Sequence, residues 1–487
     1  MVEKPRRKVL IVGAGEAGIM ILNEIKSHPE LNYDLVGFID DDINKLDKNI
    51  QDIKVLGTRE NLPVIISNHK VEEIIIAMPS AEGGVIRSTI NICQNCKTSF
   101  KIVPGLWEII NGNVTIHQIR HINEIDLLGR ETVNIETDNI RYFLKGKKVM
   151  ITGGGGSIGS ELCRQIAQNK PDSMIIFSRG ENSLYNIGLE LNYRFKELQI
   201  ELVVGNVEDL NKVMYSIQKY QPDIIFHAAA HKHVSFMEQN PEEAIKTNVF
   251  GTKNLAESAI KMGVEKFIMV STDKAINPTS IMGASKRVAE MIIQYFSGMQ
   301  DRTRFMAVRF GNVMGSRGSV IPLFRKQIEY GGPVTVTHPE VMRYFMTIPE
   351  AVQLTLQAAA LGNGGEVFVL DMGDPIKIID LARNLIILSG YVPEKDIKIK
   401  LTGLKPGEKL FEEPLSKQEN LLATKRDKIF IADLKKVEPH ELEKHLKDLE
   451  VIIKDYNTNS LINKVREIVP SYSPSQINNE SLNNYSS

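Results

Sequence analysis

The chain has 487 residues, 42% hydrophobic and 24% charged, and a formal net charge of −1. That length exceeds one ordinary domain and suits two or three. The balanced charge gives no electrostatic ground for nucleic-acid binding, and no apolar run approaches the ~20 residues of a bilayer span. The opening MVEKPRRKVLIVGAG runs into a strand without a signal-peptide core, so a cytoplasmic protein is expected.

Residues 8–18, KVLIVGAGEAG, read as a strand, a G-x-G-x-x-G turn (Gly13, Gly15, Gly18) and a helix reaching about Ser27. A second strand, Asp34 to Ile39, ends in Asp40, Asp41 and Asp42; KVLG and EEIIIAMPS continue the alternation. The pattern predicts a small Rossmann-like domain over residues 1–125. Either Gly13 and Gly15 hold a nucleotide with Asp40 on a ribose hydroxyl, or the glycines serve turn and packing alone. Val85 to Phe100 reads as an amphipathic helix carrying Cys93 and Cys96, with His117 and His121 downstream. The gap from Cys96 to His117 exceeds finger spacing, so buried or incidental thiols are expected and no metal site. Phe100 to Arg141 is irregular, with Trp107 packed at a junction, and residues 126–145 form a linker.

At Gly146 a second strand–glycine–helix unit begins, GKKVMITGGGGSIGSELCRQIA. Thr152, Gly153, Gly156 and Gly159 fit T-G-x-x-G-x-x-G, a turn whose backbone, with Ser157 and Ile158, can approach a pyrophosphate at a helix start. The next strand, SMIIFSRG, places Ser178 and Arg179 where an NAD-selective site would carry a carboxylate; Arg179 is solvated or takes a 2′-phosphate. LVVGNVEDL offers Asn206 and Val207 beside an adenine. In PDIIFHAAAHKHV, Ala228, Ala229 and Ala230 would let a cofactor lie on the backbone, with His231, Lys232 and His233 lining the site. The run Lys266 to Val270 is a buried parallel strand, and Thr272, Asp273 and Lys274 follow its carboxyl end, where open α/β sheets place ligands. Met282 and Lys286, four apart, share one face of the next helix. An acid beside an amine at that point suggests proton transfer.

The segments DLLGRE, TGGGGSIGSEL, FHAAAHKHV, STDKAINPTSIMGASKR, VRFGNVMGSRGSVIPLF, GGPVTVTHPEVMRYFMTIPEA and TGLKPGEKLFEE, spanning about Asp126 to Pro414, together resemble the nucleotide-sugar 4,6-dehydratases of bacterial polysaccharide biosynthesis, extended short-chain dehydrogenase/reductases. The resemblance implies an α/β fold of two Rossmann-like, doubly wound parallel-sheet domains, the second (146–433) with a small α/β substrate-binding lobe. It also implies a tightly bound NAD or NADP regenerated in each turnover, a UDP-sugar substrate and a homo-oligomer. Many long members of the family carry N-terminal membrane helices; no such run occurs here. Most of the superfamily has Y-x-x-x-K, whereas this chain has Met282-Gly-Ala-Ser-Lys286, and a thioether cannot carry the tyrosine's proton. Methionine there resembles the branch that dehydrates UDP-N-acetylglucosamine with carbon 5 retained.

In that family the nicotinamide oxidises carbon 4, the acidified proton leaves carbon 5, the 6-hydroxyl departs as water and the hydride returns to carbon 6. The resemblance makes Asp273 the acid, Lys274 the base, Thr272 a partner of the 4-hydroxyl and Lys286 a holder of the nicotinamide ribose. A base at Lys274 demands a lowered pKa, which burial or Lys286 would favour and an ionised Asp273 would oppose. The 4-hydroxyl proton goes to Asp273 through Thr272, or to water. Asn312, Arg317 and Ser319 are expected to face the diphosphate, Arg343 to clamp a phosphate and Glu408 to meet the uridine ribose, a salt bridge being the alternative for Arg343 and Glu408. Residues 434–487 are expected to hold a charged helix, Glu441 to Tyr456, and a disordered polar end. The rival readings are a UDP-hexosamine 4-epimerase, a carbon-5-inverting dehydratase, and a non-catalytic NAD(P) sensor.

Overall fold

The computed structural model describes residues 6–29, 32–78, parts of 81–97, 98–102, 137–389, 391–413, 420–434 and 438–474. Trp107, His117, His121, the DLLGRE segment and residues 475–487 lie outside the described residues. The chain divides into two compact units, Met1–Asn134 with Asn384–Asp396, and Ile135–Arg383 with Ile397–Ser487.

The first unit is a sheet of β1 (Arg7–Val12), β2 (Tyr33–Ile39), β3 (Asn49–Ile50), β4 (Ile53–Gly57), β5 (Glu73–Ile76) and β6 (Ser99–Ile102), in the order β3-β4-β2-β1-β5-β6. All pairings but β3–β4 are parallel. The apolar runs VLIV and III are buried on both faces, as a covered parallel sheet requires. Ser99–Ile102 is a strand paired with β5, so the helix expected as far as Phe100 ends earlier. Its β-branched and aromatic residues follow the turn and extend the sheet, which overrides the helical periodicity.

The second unit carries a nine-stranded sheet of β7 (Lys148–Thr152), β8 (Ser173–Ser178), β9 (Gln199–Val204), β10 (Ile224–His227), β11 (Lys266–Val270), β12 (Arg304–Arg309) and three later strands. Between β12 and those lie β13 (Asn312–Val313), β14 (Val334–Val336), β15 (Met342–Arg343) and β16 (Phe345–Met346), followed by β17 (Val367–Leu370), β18 (Ile376–Lys377), β19 (Ile399–Leu401), β20 (Asn420–Ala423) and β21 (Ile429–Asp433). The order is β20-β21-β17-β12-β11-β10-β7-β8-β9, parallel except at β21 and β20. The chain winds outward from β7 through β8 and β9, then returns to β10 on the other side. That reversal is a topological switch point, and a crevice opens outside the carboxyl ends of β7 and β10. The two-stranded pairs β13–β16, β14–β19 and β15–β18 build a small lobe beyond those ends. The fold is therefore two Rossmann-like parallel-sheet units, as the sequence predicts.

Beyond β21 the chain does not remain a single charged helix. Pro439–Ile452 and Thr458–Ile468 are two helices, and Leu446, Leu449, Leu461, Val465 and Ile468 join the core of the second unit. The spacing of Leu461, Val465 and Ile468 makes one apolar stripe, concealed in the sequence by the polar residues between them.

Candidate active site

In the first unit the glycine turn is closed by its own chain. A Cβ at Gly13, whose φ is +106°, would stand 2.5 Å from the Ala77 carbonyl oxygen, and one at Gly18 would stand 2.0 Å from that of Gly13. Asp40 accepts hydrogen bonds from the Ala14 N–H at 2.8 Å, the Asp42 N–H at 2.9 Å and Lys45 Nζ at 2.9 Å. Burial alone would raise its pKa, but these donors outweigh it and lower it. Asp40 thus bonds to its own turn rather than standing open to a ribose. Cys93 is buried in an apolar cluster, where burial and Cys96 push its thiol up to about 12. Among the described residues no His, Cys, Asp and Glu cluster could hold a metal.

The second unit places its glycine turn at the switch point. Gly153 has φ +69°, and a Cβ there would lie 2.6 Å from the Ala229 nitrogen; one at Gly159 would lie 2.1 Å from the Gly153 carbonyl oxygen. Only glycine lets strand, turn and helix start pack this closely. The helix Ser157–Gln168 points its first N–H groups into a cavity of about 920 Å³, which Arg179, Ala228 and Ala230 also line. This cradle fits a dinucleotide: Gly156, Ser157 and Gly159 would meet the pyrophosphate, and a nicotinamide would supply hydride transfer. Arg179 holds its Nη1 3.4 Å from His231 Nε2 and, like Ser178, brings no carboxylate to the end of β8. Asn206 turns its side chain onto the Glu208 N–H at 3.3 Å, and Val207 is buried in the core. Gly159→Ala is expected to weaken dinucleotide binding roughly ten- to a hundredfold, since the overpacked turn must open by ~1–3 kcal/mol; calorimetric titration with NAD and NADP measures it.

The catalytic candidates gather at the end of β11. Asp273–Ala275 is a single tight turn, and the helix Ile281–Met299 starts against it, capped by Ser280 Oγ accepting from the Gly283 N–H at 3.1 Å. A Cβ at Gly283 would lie 2.2 Å from the Lys274 carbonyl oxygen, so glycine there allows the helix to abut the turn. Thr272 Oγ1 donates to Asp273 Oδ1 at 2.8 Å, and Lys274 Nζ donates to the same oxygen at 3.0 Å and to Asn312 Oδ1 at 3.2 Å. Thr272, Lys274, Met282 and Lys286 line the cavity, whereas Asp273 lies beneath it, 1% exposed. Lys286 Nζ donates to the Val270 carbonyl at 2.7 Å; burial, partly offset by Glu290, brings its pKa down to about 8.

Lys274 departs from the demand set for a base. Burial pushes its pKa down, but the charges of Asp273 and Glu412 and the bond to Asp273 outweigh burial, and the net direction is up. Lys274 is an ammonium here. Arg343, expected to clamp a phosphate, lines the cavity with its guanidinium bonded to protein groups. Its Nη1 donates to the Met342 and Leu410 carbonyls at 2.8 and 3.3 Å, and its Nη2 to Lys409 O at 2.8 Å and Glu408 Oε1 at 3.2 Å. Glu408, expected on a ribose, accepts further from Thr337 Oγ1 at 2.9 Å and the Lys405 N–H at 3.1 Å. The alternative salt bridge is what forms, and it straps residues 405–410 to β15. Asn312 accepts from Lys274 and lines the cavity. Arg317 donates its backbone N–H to Ser157 Oγ at 3.1 Å, Lys232 Nζ reaches Ser316 Oγ at 3.4 Å, and Ser319 Oγ is buried without a partner among the described residues.

Several supporting residues escaped the sequence reading. Asn248 accepts from the His231 N–H at 2.8 Å and donates to His231 O at 3.0 Å and Ser285 Oγ at 2.9 Å, fixing the alanine loop to the catalytic helix. His227 bridges Thr152 Oγ1 at 2.8 Å and Thr252 Oγ1 at 3.0 Å, and burial, reinforced by Lys286, holds it neutral with a pKa of about 3. Glu290 receives Ser271 Oγ at 2.7 Å and a bidentate Arg309, both nitrogens at 2.7 Å. No local signal marks these residues, because each of these partners is at least 17 positions away.

A glycine cradle at a switch point, facing an acid–amine turn and an M-x-x-x-K helix, defines an enzyme of the short-chain dehydrogenase/reductase type. Residues 149–434 match the family model described as polysaccharide biosynthesis protein, and residues 2–104 match one described as a CoA-binding domain. The chain belongs to the polysaccharide biosynthesis protein family. It is 49% identical over 413 residues to the "Probable polysaccharide biosynthesis protein EpsC" of Bacillus subtilis (strain 168), covering 85% of this chain and 69% of that one. It is 34% identical over 281 residues to a Campylobacter jejuni "UDP-N-acetylglucosamine 4,6-dehydratase (inverting)", covering 57% of this chain and 80% of that one. The X-ray structure of Pen from Bacillus thuringiensis matches at 36% identity with a TM-score of 0.56, covering 63% of this chain and 98% of that chain. No helix among the described residues is long and apolar enough to cross a membrane.

Proposed function

We propose that this enzyme is an NAD(P)-dependent 4,6-dehydratase that converts UDP-N-acetylglucosamine to a UDP-4-keto-6-deoxy-hexosamine with carbon 5 retained. The observation that carries the reading is the Thr272-Asp273-Lys274 turn, whose hydroxyl, carboxylate and amine share one hydrogen-bonded cluster beside the dinucleotide cradle. Dehydration needs two proton-handling groups besides one for the 4-hydroxyl, and an epimerase needs only the last. A bound nicotinamide would take hydride from carbon 4 and return it to carbon 6.

The residues divide the remaining work by charge. Thr272 receives the 4-hydroxyl and passes its proton toward Asp273, to which it is already bonded. The proton that Asp273 gains suits the departing 6-hydroxyl, which leaves as water, and Lys274 takes the carbon-5 proton and returns it to carbon 5 as carbon 6 is reduced, the roles that the resemblance implies. Lys274, with its pKa raised by Asp273 and Glu412 against burial, must first shed its own proton. Met282 has no proton to exchange, and methionine at this position is what the resemblance associates with a sugar that keeps its carbon-5 configuration. Lys286 contributes positive potential and a donor for a nicotinamide ribose.

Incubation with UDP-N-acetylglucosamine is expected to give a nucleotide sugar one water lighter, with proton couplings that report retention at carbon 5. A product of unchanged mass, inverted at carbon 4, would make the enzyme an epimerase. Inverted carbon 5 would align it with the activity for which the Campylobacter relative is named.

A further inference from the structure

A second cavity opens at the amino ends of the strands, on the edge of the nine-stranded sheet opposite the catalytic turn. Lys147 stands just before β7, Lys266 opens β11 and Arg304 opens β12, and parallel pairing aligns these starts on one edge. The helix Ile348–Leu361 ends there and brings Gln357 into the lining. The cavity holds about 650 Å³, within the roughly 300–1,000 Å³ of small-molecule sites. With Lys145 and Arg426 the lining has five cations, and among the described residues Glu265 is its one carboxylate. Every lining residue belongs to the second unit.

The positive charge at this edge is poorly matched by protein groups. Glu265 is taken by Lys147. Lys266, 5% exposed, donates to the Ala359 and Gly362 carbonyls at 2.9 and 3.0 Å, and its ammonium stands 4.9 Å from the centre of the Phe143 ring. Burial, with Arg304 beside it, lowers the Lys266 pKa, so an anion in the cavity would steady its charge. Lys145 and Arg304 make no side-chain hydrogen bond or ion pair among the described residues. Gln357 is 7% exposed, and its amide makes no hydrogen bond among them either. A buried amide left unbonded is costly, and this one stands in a cavity wall where a ligand can meet it.

We propose that this cavity binds a nucleoside di- or triphosphate, with its phosphates among Lys145, Lys266 and Arg304 and the edge of its base on Gln357. Ammonium and guanidinium groups suit phosphate oxygens. An amide presents a donor and an acceptor together, which is what a base edge requires, and Tyr142, 89% exposed, offers a ring on which a base can stack. The ligand is distinct from the sugar substrate, because Thr272 and Lys274 lie past the opposite end of β11. The site therefore stands whichever reaction the catalytic cavity performs.

Lysine footprinting of the holoenzyme tests it without turnover. Acetic anhydride labels the protein in the presence of ATP, UDP or inorganic pyrophosphate, and mass spectrometry quantifies the Lys145 peptide. At least one of the two nucleotides is expected to protect Lys145 saturably, and the one that does so better identifies the base. Arg304→Gln and Gln357→Leu are each expected to raise the half-protecting concentration roughly ten- to a hundredfold. Gln357→Leu keeps the side-chain size and removes an unbonded amide, so its melting temperature is not expected to fall. No protection of Lys145 by either nucleotide at millimolar concentration would overturn the proposal. Pyrophosphate protecting as well as both nucleotides would leave a groove for anions without a base site and overturn it equally. Protection that either variant leaves unchanged would overturn it as well.

Discussion

Lys274→Met is expected to lower the dehydration rate by ~10²–10⁴-fold, the usual contribution of a positioned general acid or base. The substitution keeps the four-atom stem and removes the ammonium, so packing against the turn changes little. It leaves the Asp273 and Glu412 carboxylates facing each other without the cation that now sits 3.0 Å from one and 3.6 Å from the other. Like charges in that setting favour protonation of one of them, so the residual activity is expected at low rather than neutral pH. Running the reaction in deuterium oxide separates the roles. As the carbon-5 base, Lys274 is required for exchange as well as for loss of water, so the variant is expected to lose both. Deuterium washed into carbon 5 of the recovered sugar with little product released would make Lys274 the proton donor instead. Parent-level product would remove it from the chemistry altogether.

Arg309→Met is expected to destabilise the second unit by ~3–5 kcal/mol, the range for breaking a buried ion pair from one side. Arg309 is 1% and Glu290 0% exposed, the pair is bidentate, and Glu290 also receives Ser271, the residue before Thr272. Denaturation in urea, with amide hydrogen exchange reporting β11 and β12, separates this unit from the first. A double substitution of both partners by apolar residues is expected to recover much of the loss, because no bare charge remains. The same pair governs acid stability. Burial would raise the Glu290 carboxyl, yet Arg309, Arg287 and Ser271 hold it at about 2, below its ordinary 4.5. A depressed carboxylate stabilises fully above the unfolded value and is lost as pH falls through the folded one. The contribution of Glu290 is thus present above about pH 4.5 and disappears between there and about pH 2. A flat acid limb in the Arg309 variant, against a sloping one in the parent, is the expected difference.

What could be read along the chain was whatever short segments carry whole. Gly153, Gly156 and Gly159 announce a turn because their spacing is itself the geometry. Thr272, Asp273 and Lys274 announce a site because they follow a buried strand directly, and Met282 announces a missing hydroxyl by identity alone. Local reading failed where a side chain's task depends on a distant partner. Arg343 and Glu408 bond to each other, and the sequence left a salt bridge open for each without naming a partner, because the two stand 65 positions apart. Asp40 stands where a ribose contact is expected, yet Ala14 and Lys45 occupy its oxygens. The second terminal helix was missed because its stripe of Leu461, Val465 and Ile468 acquires meaning only against the core that receives it.

Two parallel-sheet units, a glycine cradle and an acid–amine turn were therefore determined by the sequence itself, since periodicity and contiguous motifs specify backbone shape. The protonation of Lys274 and the place of Glu412 were decided only by the tertiary structure. Charge state depends on which carboxylates and guanidinium groups arrive through space, and the Lys274–Glu412 contact joins residues 138 positions apart in the numbering.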